Sequence, residues 1–244
     1  MMDAILVKNL TKKYKDRLAV DNISFNIHEG EIFGLLGLNG AGKTTTIKIL
    51  CSLSEKTNGE VYIFGKNLDE NEEYAKKIIN VSPQETAIAP KLTVLENLIF
   101  MAEIYGIAKA EAKIKANELL KTFDLADRAN SKVKSLSGGM QRKLSIAMAL
   151  ISEPKIIFLD EPTLGLDVYA RRELWKILKD LKKKVTIILT THYLEEAEAL
   201  ADRIAILDKG KVKAIGTAEE LKKINNDTNF EDAFLKLTEM REVL

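Results

Sequence analysis

Gly37-Leu38-Asn39-Gly40-Ala41-Gly42-Lys43-Thr44 decides how the rest of this chain is read. The octet fits the pattern G-x-x-x-x-G-K-[ST], with an apolar strand-like run at 31–36 before it and a helix-forming run at 42–51 after it. A chance match in a chain of this length has odds on the order of one in a hundred, and the strand–turn–helix context lowers them further. Glycines let successive backbone N–H groups turn inward toward phosphate oxygens. The helix starting near Gly42 adds the positive end of its dipole. Lys43 supplies a mobile charge for β- and γ-phosphates, and the Thr44 hydroxyl can ligate Mg²⁺. The expectation is a nucleoside-triphosphate site.

Such a loop needs a metal partner and a group that orients water. Ile156-Ile157-Phe158-Leu159-Asp160-Glu161 offers both: a buried strand with two carboxylates at its carboxyl end. Ligands of parallel sheets gather at that end. Asp160 is expected to hold Mg²⁺ through water, and Glu161 to polarise the attacking water. Leu136-Ser137-Gly138-Gly139-Met140-Gln141 opens a helix with a hydroxyl and two glycines, a second anion-binding helix start about a hundred residues from the first. Gln84 and His192 each follow a strand-like run, at 78–81 and 185–190. Either alone is an ordinary polar residue at a strand end.

Length and composition bound the remainder. The 244 residues carry 37 Lys+Arg against 36 Asp+Glu, a formal net charge of +1, so no global electrostatic case for nucleic acid exists. Hydrophobic residues at 46% and charged residues at 30% are those of a soluble globular protein rather than a disordered one. The single cysteine, Cys51, cannot close an internal disulfide and reads as a small apolar residue. No run reaches the ~20 apolar residues of a membrane span, and the opening Met1-Met2-Asp3 lacks the bases of an export signal.

Strand-like runs fall at 5–8, 23–27, 32–36, 60–64, 78–81, 155–159, 185–190 and 203–208, with Asn58-Gly59 and Lys209-Gly210 as turn signals between strands. Helical periodicity falls at 42–51, 94–105, 111–123, 140–152, 170–181 and 195–201. Thr93 and Glu96 form a capping-box signal. Lys182-Lys183-Lys184 is read as a solvated helix end. Together these predict an α/β fold: an NTPase core with a mixed sheet, an N-terminal antiparallel β layer and an inserted α-helical subdomain. The expected division is 1–85 and 153–217 for the core with its β layer, 86–152 for the helical subdomain, and 218–244 for a helical tail.

In this order and spacing the motifs resemble those of the nucleotide-binding subunits of the ABC transporter family, over nearly the whole chain. Gly37 to Thr45 resembles the Walker A loop, which implies ATP contacts from Asn39, Gly40, Ala41, Gly42, Lys43, Thr44 and Thr45. Gln84 is similar to the Q-loop glutamine, a sensor of metal and water. Leu136 to Gln141 resembles the signature sequence, Asp160 and Glu161 the Walker B aspartate and catalytic glutamate, and Leu164-Gly165-Leu166-Asp167 the D-loop. His192 is similar to the switch histidine that contacts the γ-phosphate. Tyr14 stands where the family stacks an aromatic on adenine, its alternative being a half-buried strand aromatic.

The resemblance implies a head-to-tail dimer, of two copies or of two different subunits, around two ATP and Mg²⁺. Ser137, Gly138 and Gly139 would reach the partner's nucleotide in trans, and Asp167 would couple the two sites. It further implies an integral membrane permease docking near Ala87-Ile88-Ala89-Pro90, a stretch that could equally pack on its own core. The expected location is then the cytoplasmic face of the membrane. Gly165-Leu166-Asp167-Val168, Arg171-Arg172-Glu173-Leu174-Trp175 and the terminal run from Phe230 resemble the multidrug and daunorubicin-type exporter branch. Trp175 itself reads as core packing. The alternative is an ABC-type ATPase acting on nucleic acid or ribosomes; the single motif set and the compact insert argue against it, and no nucleic acid is expected.

Overall fold

The computed structural model describes residues 2–239. Asp3–Tyr14 (β1) and Arg17–His28 (β2) form a long antiparallel hairpin whose alternating residues, among them Ile5, Val7, Ile23, Phe25 and Ile27, are buried. Ile32–Leu36 (β3) follows, buried at every position. Asn58–Ile63 (β4) and Lys66–Asn67 (β5) complete an antiparallel sheet in the order β2-β1-β4-β5. Ile79–Ser82 (β6), Ile156–Asp160 (β7), Thr186–Thr191 (β8), Arg203–Asp208 (β9) and Lys211–Gly216 (β10) join β3 in a six-stranded sheet, order β10-β9-β3-β8-β7-β6. Its pairs are parallel except for the antiparallel β9–β10 edge. The mixed sheet and the antiparallel layer are therefore as expected.

The helices are Lys43–Leu50 (α1), Glu72–Ile78 (α2), Val94–Ile104 (α3), Lys109–Thr122 (α4), Gly138–Leu150 (α5), Val168–Leu181 (α6), Leu194–Leu200 (α7), Ala218–Ile224 (α8) and Phe230–Glu239 (α9). Strand period two divides the core. Ile156 and Phe158 face the antiparallel layer and α1, whereas Ile157 and Leu159 face α3, α4, α5 and α6. A third cluster, with Phe230, Phe234 and Leu237, seals α7, α8 and α9 over Leu36, Ile204 and Ile206. At the start of α3 the expected capping box is present: Glu96 N donates to Thr93 Oγ1 at 3.1 Å, and Thr93 N to the Glu96 carboxylate at 2.6 Å.

Three expectations are corrected. Asn58-Gly59 is no hairpin turn but the start of β4, where Gly59 has φ +96° and lies so close to β1 that a Cβ would sit 2.4 Å from Asn9 O. Lys209-Gly210, by contrast, does turn β9 into β10, with φ of +48° and +81°. Ile78 ends α2, a helix absent from the sequence reading, rather than opening a strand. The first hairpin runs well past 5–8 and 23–27, because Asn9 (φ +50°) and Asn22 (φ +52°) bulge its strands without ending them. Of the expected tail, residues 240–244 lie outside the described residues. No helix among the described residues is long and apolar enough to cross a membrane.

Candidate functional site

Parallel register brings the functional segments to one edge. Leu36 pairs with Thr191 and Asp160 with Thr190, so the loop after β3, the Asp160-Glu161 pair and His192 emerge side by side. The loop is seated tightly: a Cβ at Gly37 would fall 2.3 Å from Leu207 O, and one at Gly42 (φ +105°) 2.6 Å from Ala19 O. Only glycine tolerates both approaches. A cavity of about 360 Å³ opens above it, lined by Tyr14, Arg17, Ala19, Asn39, Gly40, Ala41, Gly42, Lys43, Thr44, Thr45, Gln84 and Glu161. These include every ATP-contact residue expected in cis.

Lys43 is buried, and its ammonium donates to Gly37 O at 2.6 Å and to Leu38 O at 3.3 Å. Burial lowers its pKa, while Glu161 and Asp160 pull it back up. Asp160 accepts from Thr44 Oγ1 at 3.2 Å and from Thr190 Oγ1 at 2.5 Å. One carboxylate and one hydroxyl beside a phosphate-sized cavity suit Mg²⁺, which takes few protein ligands and leaves the rest to phosphate and water.

Glu161 occupies a left-handed conformation, φ +49°, at the end of β7, held by its N–H donating to Thr190 Oγ1 at 3.0 Å. Such a conformation costs of order 1 kcal/mol and persists only where its surroundings impose it. It aims the side chain between two bases. Oε1 lies 3.6 Å from Lys43 Nζ, and Oε2 lies 2.6 Å from His192 Nδ1, at ion-pair distance though without hydrogen-bond alignment. The His192 ring also lies against Tyr193, centroids 4.2 Å apart.

The Ser137 turn stands apart from this cavity. Ser137 caps α5, its Oγ accepting from Met140 N at 3.3 Å, and a Cβ at Gly138 would meet open space. Ser137, Gly138 and Gly139 are not among the residues lining the nucleotide-sized cavity. Asp167 caps α6, accepting from Ala170 N at 2.9 Å, amid exposed Leu164, Val168 and Tyr169. Tyr14 is 45% exposed on the cavity wall, with Lys12 Nζ 4.7 Å from its ring centroid. Ile88 packs on the core under α3, and Asn97 bonds both backbone groups of Ala89. Phe100 and Ile104 of α3 remain exposed.

Four functional neighbours were not singled out in the sequence. Arg17 and Ala19 enter the cavity wall from β2. Thr190 holds Asp160 and Glu161. Arg142, buried on α5, donates to three backbone oxygens. Only an arginine one turn past a glycine-rich helix start, among apolar neighbours, hinted at the last.

Comparison with known proteins identifies the family and the fold. Residues 20–164 match the family described as ABC transporter. The chain is 41% identical over 223 residues to the linearmycin resistance ATP-binding protein LnrL of Bacillus subtilis, covering 91% of this chain and 72% of that one. It is 41% identical over 220 residues to the daunorubicin/doxorubicin resistance ATP-binding protein DrrA of Streptomyces peucetius, covering 90% and 67%. It is 41% identical over 226 residues to the human phospholipid-transporting ATPase ABCA3, but spans only 13% of that protein's length. A dimeric post-hydrolysis state of an ATP-binding cassette bound to ADP and Pi superposes with a TM-score of 0.77 at 33% identity, covering 87% of this chain and 98% of the other. The chain belongs to the ABC transporter family, in which it is an ATP-binding, ATP-hydrolysing subunit.

Proposed function

We propose that this subunit powers an exporter of hydrophobic, drug-like cargo, working as a head-to-tail pair around two ATP and seated on an integral membrane permease. The similarity to two drug-resistance ATP-binding proteins supports the export direction. The dimeric relative supports pairing. The exposed Phe100 and Ile104, on the helix whose Asn97 binds Ala89, offer the permease an apolar seat, which would hold the subunit at the cytoplasmic face of the membrane.

Within each site we assign the roles as follows. The loop at Asn39 to Thr45 and the Lys43 ammonium bind the phosphates, and Tyr14 stacks on the base. Thr44, Asp160 and Gln84 would hold Mg²⁺, which would draw charge off the phosphate oxygens. Glu161 orients and polarises water, and its contact with His192 sets both groups toward the γ-phosphate. Ser137, Gly138 and Gly139 close over the partner's nucleotide, and Asp167 links the two sites across the interface. The arrangement of Glu161 between Lys43 and His192, in the wall of the phosphate cavity, carries this reading.

Glu161→Gln tests it. The variant is expected to bind ATP as the parent does and to lose turnover by at least about a hundredfold, in line with removal of a general base. Steady-state hydrolysis at the parental rate overturns the assignment.

A further inference from the structure

Resting on the site reading above, we propose that Arg142 is a positioning residue for hydrolysis: it fixes the backbone that carries Gln84, Asp160 and Glu161, and ties that backbone to the helix headed by Ser137. Its guanidinium divides its donors among three backbone oxygens at the ends of two strands, β6 and β7. Nη1 donates to Pro83 O at 2.5 Å, Nη2 to Asp160 O at 2.8 Å, and Nε to Pro162 O at 2.9 Å. Pro83 precedes Gln84, and Pro162 follows Glu161, so each acceptor is in or next to a residue assigned to the metal or the water. Arg142 lies five positions past Ser137, on α5.

The chemistry argues against a merely structural part. The residue is 5% exposed, and among the described residues no carboxylate lies at ion-pair distance from it. Burial pushes its pKa down to about 10, partly offset by the charges of Asp160 and Glu196. A buried cation is costly, and a well-packed apolar residue often stabilises a fold as well or better. A planar fork of donors, in contrast, fixes three peptide groups in one geometry, which a lysine's single ammonium cannot copy. The same helix presents Ser137, Gly138 and Gly139 to the partner's nucleotide. A displacement of α5 on closure would therefore reach all three working groups of its own site through one side chain.

The experiment compares Arg142→Lys, Arg142→Ala and Glu161→Gln in the full chain. Arg142→Lys is expected to lower kcat about a hundredfold, the scale of a misplaced reacting group. ATP affinity by equilibrium titration should stay within about threefold, because binding and chemistry are lost separately. In Arg142→Ala, added millimolar guanidinium should restore part of kcat, whereas sodium chloride of equal ionic strength should not. Parental kcat in Arg142→Lys overturns the proposal, and so does absence of rescue or a loss of ATP affinity parallel to that of kcat. Failure of both variants to fold, read from the emission of the single, buried Trp175, also overturns it, since the proposal requires a folded protein that binds ATP and turns over poorly. The controls separate two failures. An active Glu161→Gln sinks the site reading itself, whereas an inert Glu161→Gln beside a fully active Arg142→Lys sinks only the role of Arg142.

Discussion

Glu196 is not among the residues lining the phosphate cavity, and it is a fully buried carboxyl, with Oε1 accepting from Trp175 Nε1 at 3.3 Å. Burial pushes its pKa up, against the pull of Thr191, Thr163, Trp175 and the Arg171 charge. A raised folded pKa means that the fold disfavours the ionised form. Its contribution is complete below the unfolded pKa and is lost as pH rises through the folded value. Glu196→Gln removes that loss while keeping an acceptor for Trp175. The variant should therefore melt above the parent at pH 8, with the gap closing below pH 4, each kcal/mol appearing as about 2–4 °C in a chain this long. Melting curves that diverge in the opposite sense as pH rises would refute it. Cys51 is the quiet counterpart: half-buried, its thiol is pushed up by burial, with Asp160 nearby.

Among the elements, local signals are legible in the sequence and contact-dependent ones are not. The capping box of α3 needs only Thr93 and Glu96, three residues apart, and it formed as read. Asn58-Gly59 carries the same composition as a hairpin turn, but the neighbouring strand decides its use. Gly59 supplies the positive φ of a bulge against Asn9 instead. Gly59→Ala should cost about 2 kcal/mol or more, from a strained φ and the clash with Asn9 O, measured as a lower urea midpoint at unchanged m-value. A variant as stable as the parent would mean that β1 and β4 separate there without penalty. Helix α2 buries only Ala75, so its seven residues show no apolar face in the sequence, whereas the equally short α7 buries Ala197 and Leu200.

The whole molecule presents a phosphate cavity open on one side and a glycine-rich helix start elsewhere with open space over Gly138. In the proposed pair, two positive helix ends and one polyanion would complete each other, a second copy bringing the missing half. In a Glu161→Gln background, ATP should drive dimers visible by light scattering. Adding Ser137→Ala should weaken that dimer roughly tenfold or more, the range for a hydrogen bond to a charged group, and leave ATP binding to the monomer unchanged. Equal loss of monomer affinity would place Ser137 in its own subunit's site. Raising the salt should loosen the dimer as well, since the attraction is electrostatic.

The sequence by itself determined the chemistry and the class of fold. Phosphate recognition is encoded in contiguous residues, Gly37 to Thr44, and a buried parallel strand announces itself as an apolar run ending in Asp160-Glu161. Only the tertiary structure decided which distant groups meet. Thr190 reaches Asp160 because β8 pairs with β7 in one register, and Arg142 reaches Pro83, Asp160 and Pro162 because α5 packs against both strand ends. Such contacts join residues tens of positions apart, so no local pattern can carry them. They arise when the two faces of the sheet bury their apolar residues and draw the polar strand ends together.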